Sequence, residues 1–172
     1  MRIYLIGFMG VGKSKMAKAV SAKTQLKHFD IDELVVHQRG TTITKIFEKE
    51  GEEQFRIYER EALKATFGFD NCVVSCGGGT PCFFNNIDEI NRNGISVYLK
   101  LDVSILLSRL EKDKNERPLL SSLSKEDLKD FIHQISKERS EYYNKAHVTI
   151  NAFNLSANAL IDQLEQKGIQ LR

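Results

Sequence analysis

Residues 7–14 read Gly7-Phe8-Met9-Gly10-Val11-Gly12-Lys13-Ser14, a G-x-x-x-x-G-K-S pattern, directly after the apolar run Ile3-Tyr4-Leu5-Ile6. That placement constrains the chain more than any other feature. The β-branched and aromatic character of the run predicts a buried strand. Met16, Ala17 and Val20 then recur at helical spacing. A glycine-rich loop between a strand and a helix is the context in which this pattern cradles phosphate. Glycines let the backbone wrap closely round phosphate oxygens, and the helix start supplies unpaired N–H groups and partial positive charge. Lys13 is long enough to reach β- and γ-phosphates, and the Ser14 hydroxyl suits Mg²⁺. The sequence therefore predicts a nucleoside triphosphate site.

Strand-like and helix-like segments alternate along the rest of the chain, the pattern of an α/β protein with helices covering a parallel sheet. Four further strands are expected: around Lys27-His28-Phe29 into Asp30-Ile31-Asp32, Cys72-Val73-Val74-Ser75, residues 95–101, and His147-Val148-Thr149-Ile150. Ile43, Ile46 and Phe47 mark one helical stretch, and Gly51 separates it from another with Phe55, Tyr58 and Ala62 on its apolar face. Asp102 is placed to cap a helix carrying Ile105, Leu106 and Leu110. Ser124 and Asp127 open another as a capping box, and Gly168 closes the last, after Leu160, Ile161 and Leu164. Residues 111–123, rich in charge and serine and holding Pro118, read as a mobile loop. The 172 residues fit one domain. A net charge of +2 argues against a nucleic-acid surface, and no apolar run is long enough to span a membrane. The apolar start is short, glycine-interrupted and runs into Lys13, unlike a signal peptide.

In such sheets ligands gather beyond the carboxyl ends of the strands, where the phosphate loop, Asp30/Asp32 and Gly77-Gly78-Gly79 all fall. If the chain is extended through Asp30-Ile31-Asp32, the two carboxylates point the same way. One could then support Mg²⁺ and the other bind an acceptor hydroxyl; Asp32 as a helix cap is the alternative. Arg56 and Glu59, three apart on a helix, form either a pre-oriented fork for an anion or a surface ion pair. Three successive glycines after a strand signal a ligand or other group lying very close. Cys72, Cys76 and Cys82 lack zinc-site spacing and an adjacent His, so they read as free thiols. Cys76, beside the glycines, is expected to be the modifiable one. None of the four histidines sits in a triad or ligand spacing.

Taken in order, Gly10-Val11-Gly12-Lys13-Ser14, Asp30-Ile31-Asp32, Phe55-Arg56-x-x-Glu59, Gly77-Gly78-Gly79 and Arg117-Pro118-Leu119-Leu120 resemble the shikimate kinase family. The resemblance runs from the phosphate loop through Arg139. It implies a three-layer α/β/α P-loop kinase fold with a five-stranded parallel sheet. It also implies a substrate-binding helical region at about residues 31–62 and a mobile lid at about 111–123. The implied reaction is ATP-dependent phosphorylation of the 3-hydroxyl of shikimate, on the route to chorismate and the aromatic amino acids. Gly10, Val11, Gly12, Lys13, Ser14 and Lys15 would bind the nucleotide, with Ser14 and Asp30 supporting Mg²⁺. Asp32 would bind substrate hydroxyls and orient the attacking one or accept its proton. Arg56 and Arg139 would clamp the carboxylate, Gly78 would make a backbone contact, and Arg117 would be the lid arginine that meets ATP phosphates. Arg109 is a candidate to stack on adenine.

One departure is Lys15, where the family usually has Thr, so a hydroxyl contact to the nucleotide is lost. The resemblance implies a cytoplasmic monomer whose partners are ATP and shikimate, with no nucleic acid or membrane. A gluconate or nucleoside-monophosphate kinase of the same fold would share the phosphate loop but has no need of the triglycine with Arg56 and Arg139. A non-catalytic nucleotide-binding relative would be expected to lack Lys13, Asp32 or Arg117, and all three are present.

Overall fold

The computed structural model describes residues 1–112 and 123–171. Five parallel strands form one sheet: β1 (Arg2–Ile6), β2 (Lys27–Asp30), β3 (Cys72–Ser75), β4 (Ile95–Lys100) and β5 (Val148–Asn151). Their order across the sheet is β2-β3-β1-β4-β5. β1 lies between β3, with Leu5 opposite Ser75, and β4, with Ile6 opposite Tyr98.

The twofold alternation of β1 decides the layering. Ile3 and Leu5 enter one buried cluster, and Tyr4 and Ile6 enter another on the opposite face. The first cluster is covered by α1 (Lys13–Ser21), α5 (Val103–Lys112), α6 (Lys125–Tyr143) and α7 (Ala157–Gln166). Ala17, Leu106, Ile132 and Leu160 are among the side chains they contribute. The second is covered by α2 (Ile31–Arg39), α3 (Ile43–Ala65) and α4 (Asn86–Asn93), which contribute Val35, Leu63 and Ile90 among others. Burial on both faces explains why β1 is apolar from Ile3 to Ile6 and β3 from Cys72 to Val74. This is the α/β/α sandwich expected.

Several boundaries are set by local chemistry. β2 stops at Asp30, whose side chain accepts from the Asp32 and Glu33 N–H groups and caps α2. Asp32 is therefore in the first turn of a helix, not in an extended chain, and the cap is Asp30 rather than Asp32. Strand geometry therefore does not align the two acids. α3 breaks at Gly51, whose φ of 84° and ψ of 173° are not helical, so the two expected stretches are distinct segments. Ser124 and Asp127 form the expected capping box. Gly168, with φ of 83°, closes α7 by donating its N–H to Glu165 O at 2.9 Å. Glu111 and Lys112 continue α5 instead of opening a loop. The remainder of the expected lid, with Arg117, lies outside the described residues apart from Leu123. α4, a helix not expected from the sequence, follows an Asn85 turn with positive φ.

Ile31 is fully buried between the two acids and ties α2 to the second core. Ile31→Ala should lower stability by about 2–5 kcal/mol through loss of buried surface and the cavity left behind. Urea unfolding of the variant against the parent checks this.

Candidate active site

The phosphate loop follows β1 because three of its glycines take backbone angles that side chains avoid. Gly7, Gly10 and Gly12 have φ of 141°, 78° and 100°. At Gly7 a Cβ would also lie only 2.6 Å from the Leu99 carbonyl oxygen, so the loop can pass β4 only with glycine there. Val11 sends its side chain into the core, leaving its backbone for the loop. Lys13 is buried, and its Nζ donates to Gly7 O at 2.8 Å and Phe8 O at 2.9 Å, which folds the ammonium back over the loop. Arg109 on α5 donates from Nη1 to Val11 O at 3.1 Å, which places its guanidinium at the loop's outer side.

A cavity of about 310 Å³ opens above this loop and is lined by Lys13, Ser14, Lys15, Asp30, Asp32 and Gly78, among others. Asp30 is the most heavily bonded group in it. Its Oδ2 accepts from Ser14 Oγ and Ser75 Oγ, both at 2.6 Å, and its Oδ1 accepts from Asp32 N at 3.0 Å. The Ser14 hydroxyl and Asp30 carboxylate give two adjacent hard oxygen donors. Among the described residues no group of three or more His, Cys, Asp or Glu side chains could hold a metal. A cation here would take one or two protein oxygens and complete its shell with phosphate and water, the habit of Mg²⁺. The donor set fits that ion.

The triglycine forms the far wall, and its meaning is steric. None of Gly77, Gly78 or Gly79 has a positive φ. Each lies instead where a Cβ would crowd a polar group of the site, overlapping it at Gly77 and Gly79 and pressing on it at Gly78. At Gly77 it would meet Glu59 Oε1 at 2.6 Å and Asp32 Oδ1 at 3.3 Å. At Gly78 it would lie 3.2 Å from Arg139 Nη1, and at Gly79 2.6 Å from Arg56 Nη1. Asp32, Arg139 and Arg56 thus converge on three consecutive residues from α2, α6 and α3. Tyr143 reinforces the junction by donating from its hydroxyl to Gly78 O at 2.6 Å.

Arg56 is buried and pairs with Glu59 at 2.9 Å and Glu52 at 2.8 Å, so it is not a surface ion pair. Glu59, fully buried, also accepts from Thr80 Oγ1 at 2.5 Å. Burial, then the charges of Asp30 and Glu59, push the Asp32 carboxyl up to about 6, against the opposing pull of Lys13 and Arg56.

The cysteines differ from expectation in one respect. Cys76 is buried and its thiol is pushed up by desolvation, so it is shielded rather than modifiable. Cys82, partly buried, is the more accessible of the pair beside the glycines.

Sequence reasoning missed Glu52, which pairs with Arg56, and Ser75, Thr80 and Tyr143, which hold other groups in place. Ser75 had a findable signal, since it ends β3 in register with Asp30. Glu52 stands one helical turn before Arg56, a spacing open to sequence reading, whereas Thr80 and Tyr143 depend on tertiary packing.

Comparison with known proteins identifies the family. A family model described as shikimate kinase matches residues 9–167. A shikimate kinase of Phocaeicola vulgatus is 38% identical over 170 residues, covering 96% of this chain and 97% of the relative. The chain belongs to the shikimate kinase family. Among solved members of the family, the shikimate kinase from Bacteroides thetaiotaomicron superposes with a TM-score of 0.90 at 33% identity, covering 97% of each chain. That from Acinetobacter baumannii, solved in complex with shikimate, gives 0.83 at 33% identity, covering 98% of this chain and 92% of the other.

The raised Asp32 carboxyl has a stability consequence. A carboxyl with its folded pKa above its unfolded value costs nothing at pH below about 4, where both states are protonated. It destabilises the fold fully above about 6. Asp32→Asn should therefore raise stability by about 1–3 kcal/mol at pH 8 and by little at pH 4. Paired denaturation curves at the two pH values test this, and equal effects at both would contradict it.

Proposed function

We propose that the chain transfers the γ-phosphoryl group of ATP to the 3-hydroxyl of shikimate, yielding shikimate 3-phosphate and ADP. The observation that carries this reading is the convergence of Asp32, Arg139 and Arg56 on Gly77-Gly78-Gly79 beside the phosphate loop. A small hydroxylated anion needs cationic donors at one end and a carboxylate at the other, and this wall supplies both within reach of a γ-phosphate.

In this reading residues 7–15 hold the nucleotide through the loop backbone and Lys13, and Lys15 adds a charge at the position where the family usually has Thr. Lys13 would exchange its carbonyl partners for β- and γ-phosphate oxygens. Ser14 and Asp30 would hold Mg²⁺, which when bound neutralises phosphate charge. Arg56 and Arg139 would bind the substrate carboxylate, with Gly78 offering a backbone contact. Asp32 would hold the attacking hydroxyl and take its proton on a carboxylate oxygen; a carboxyl near 6 suits a base working close to neutrality. Arg117 would meet ATP phosphates from the lid, and Arg109 would approach adenine. Phosphoryl transfer needs mostly such positioning and charge stabilisation. Among the described residues no helix is long and apolar enough to cross a membrane. The reading takes the chain as one domain, working as a monomer in the cytoplasm.

ADP release should be rapid with Mg-ATP and shikimate, and absent with gluconate or nucleoside monophosphates. Arg56→Ala and Arg139→Ala should each lower kcat/KM for shikimate by about 10- to 100-fold, the scale of a charged hydrogen bond, with KM for ATP little changed. Turnover with gluconate or a nucleoside monophosphate in place of shikimate would overturn the assignment. Wild-type kcat/KM in both variants would remove the clamp.

A further inference from the structure

Arg56 is held by two acids that differ sharply in situation. Glu59 is buried, with its side chain 1% exposed, and is fixed by Thr80 as well as by Arg56 Nη1. Glu52 is 57% exposed, yet its single oxygen Oε1 accepts from Arg56 Nε at 3.1 Å and Nη2 at 2.8 Å. Those two donors form one edge of the guanidinium, the kind of edge that takes a carboxylate in a planar fork. The faces are less available. The Phe83 ring centroid lies 4.4 Å from the Arg56 Cζ, and the Gly79 backbone packs so closely that a Cβ there would be 2.8 Å from Cζ.

Charge makes this arrangement unstable toward an anionic ligand. Arg56 already faces two carboxylates, and Asp32 feels Glu59 as a like charge. A third carboxylate brought to Arg56 would be repelled unless one acid withdrew. Releasing Glu59 would strand a buried acid, which is costly. Releasing Glu52 breaks a pair already exposed to water, which costs little. Glu52 also keeps one stabilising influence once released. It follows the Gly51 break and stands in the first turn of the restarted helix, where negative charge is stabilised.

We propose that Glu52 is an internal stand-in for the substrate carboxylate on Arg56, displaced when substrate binds and setting substrate affinity by competition. This rests on Arg56 being a carboxylate clamp. Glu52 touches neither nucleotide nor reacting atoms in this scheme and acts through Arg56 alone.

The test is steady-state kinetics and calorimetric binding of shikimate with the full chain, Glu52→Gln and Glu52→Ala. Thermal midpoints and KM for ATP serve as controls for folding. Competition predicts that KM and Kd for shikimate fall by about 2- to 5-fold in both variants, the range of a partly exposed ion pair. It also predicts that kcat and KM for ATP stay put. If Glu52 instead holds Arg56 in position, KM for shikimate rises in both variants, and that result or no change overturns the proposal. Unfolded variants would equally overturn it, since an exposed competitor is dispensable to the fold. Failure of the parent chain itself to bind shikimate would sink the clamp reading together with this one, whereas an active parent with unimproved variants sinks only this one.

Discussion

The site depends first on where the Asp30 carboxylate sits. It ends β2, caps α2 through the Asp32 and Glu33 N–H groups, and accepts hydroxyls from Ser14 on α1 and Ser75 at the end of β3. One side chain therefore binds two strands and two helices at the carboxyl edge of the sheet. The backbone donors it accepts from are those a helix start leaves without an intrahelical partner. The distance from the phosphate loop to the first turn of α2 is set by this group, and with it the position of Asp32.

The opposite wall is governed by packing and charge together. Cβ atoms are absent from residues 77–79, and the vacated volume is filled by the heads of Glu59, Arg139 and Arg56. Burial, then the like charges of Asp30 and Glu59, makes Asp32 harder to ionise, and burial pushes Cys82 up to about 11 with the arginines pulling the other way. Shape and electrostatics here are one property: a residue with a side chain in the triglycine would move the charges as well as fill the space.

Much of this was legible in the residues alone. The strand–loop–helix order round Lys13, the alternation of segments and the triglycine's demand for close neighbours all follow from local pattern, and the five parallel strands appear as expected. What failed, failed for physical reasons. Asp30-Ile31-Asp32 looks extended because Ile31 is apolar and β-branched, but the side chain of Asp30 captures two backbone donors and turns the chain into a helix. α4 buries only Asn86, Ile87 and Ile90 among its eight residues, too sparse a stripe to announce a helix. Glu52, Thr80 and Tyr143 act across 4, 21 and 65 positions of sequence, and the last two separations carry no periodic signal.

The break at Gly51 separates two helical phases. In an unbroken helix, inserting or deleting one residue turns everything beyond it by about 100°. Here the left-handed glycine stops that rotation, since a Cβ there would meet nothing within 4 Å and the joint is not wedged by neighbours. Residues 43–50 are tied to the segment bearing Arg56 and Glu59 by side chains instead, through the Phe47–Phe55 ring contact and the Tyr58 hydroxyl, which donates to Glu50. A change of length before the joint would reach the clamp through that packing and not through helical twist.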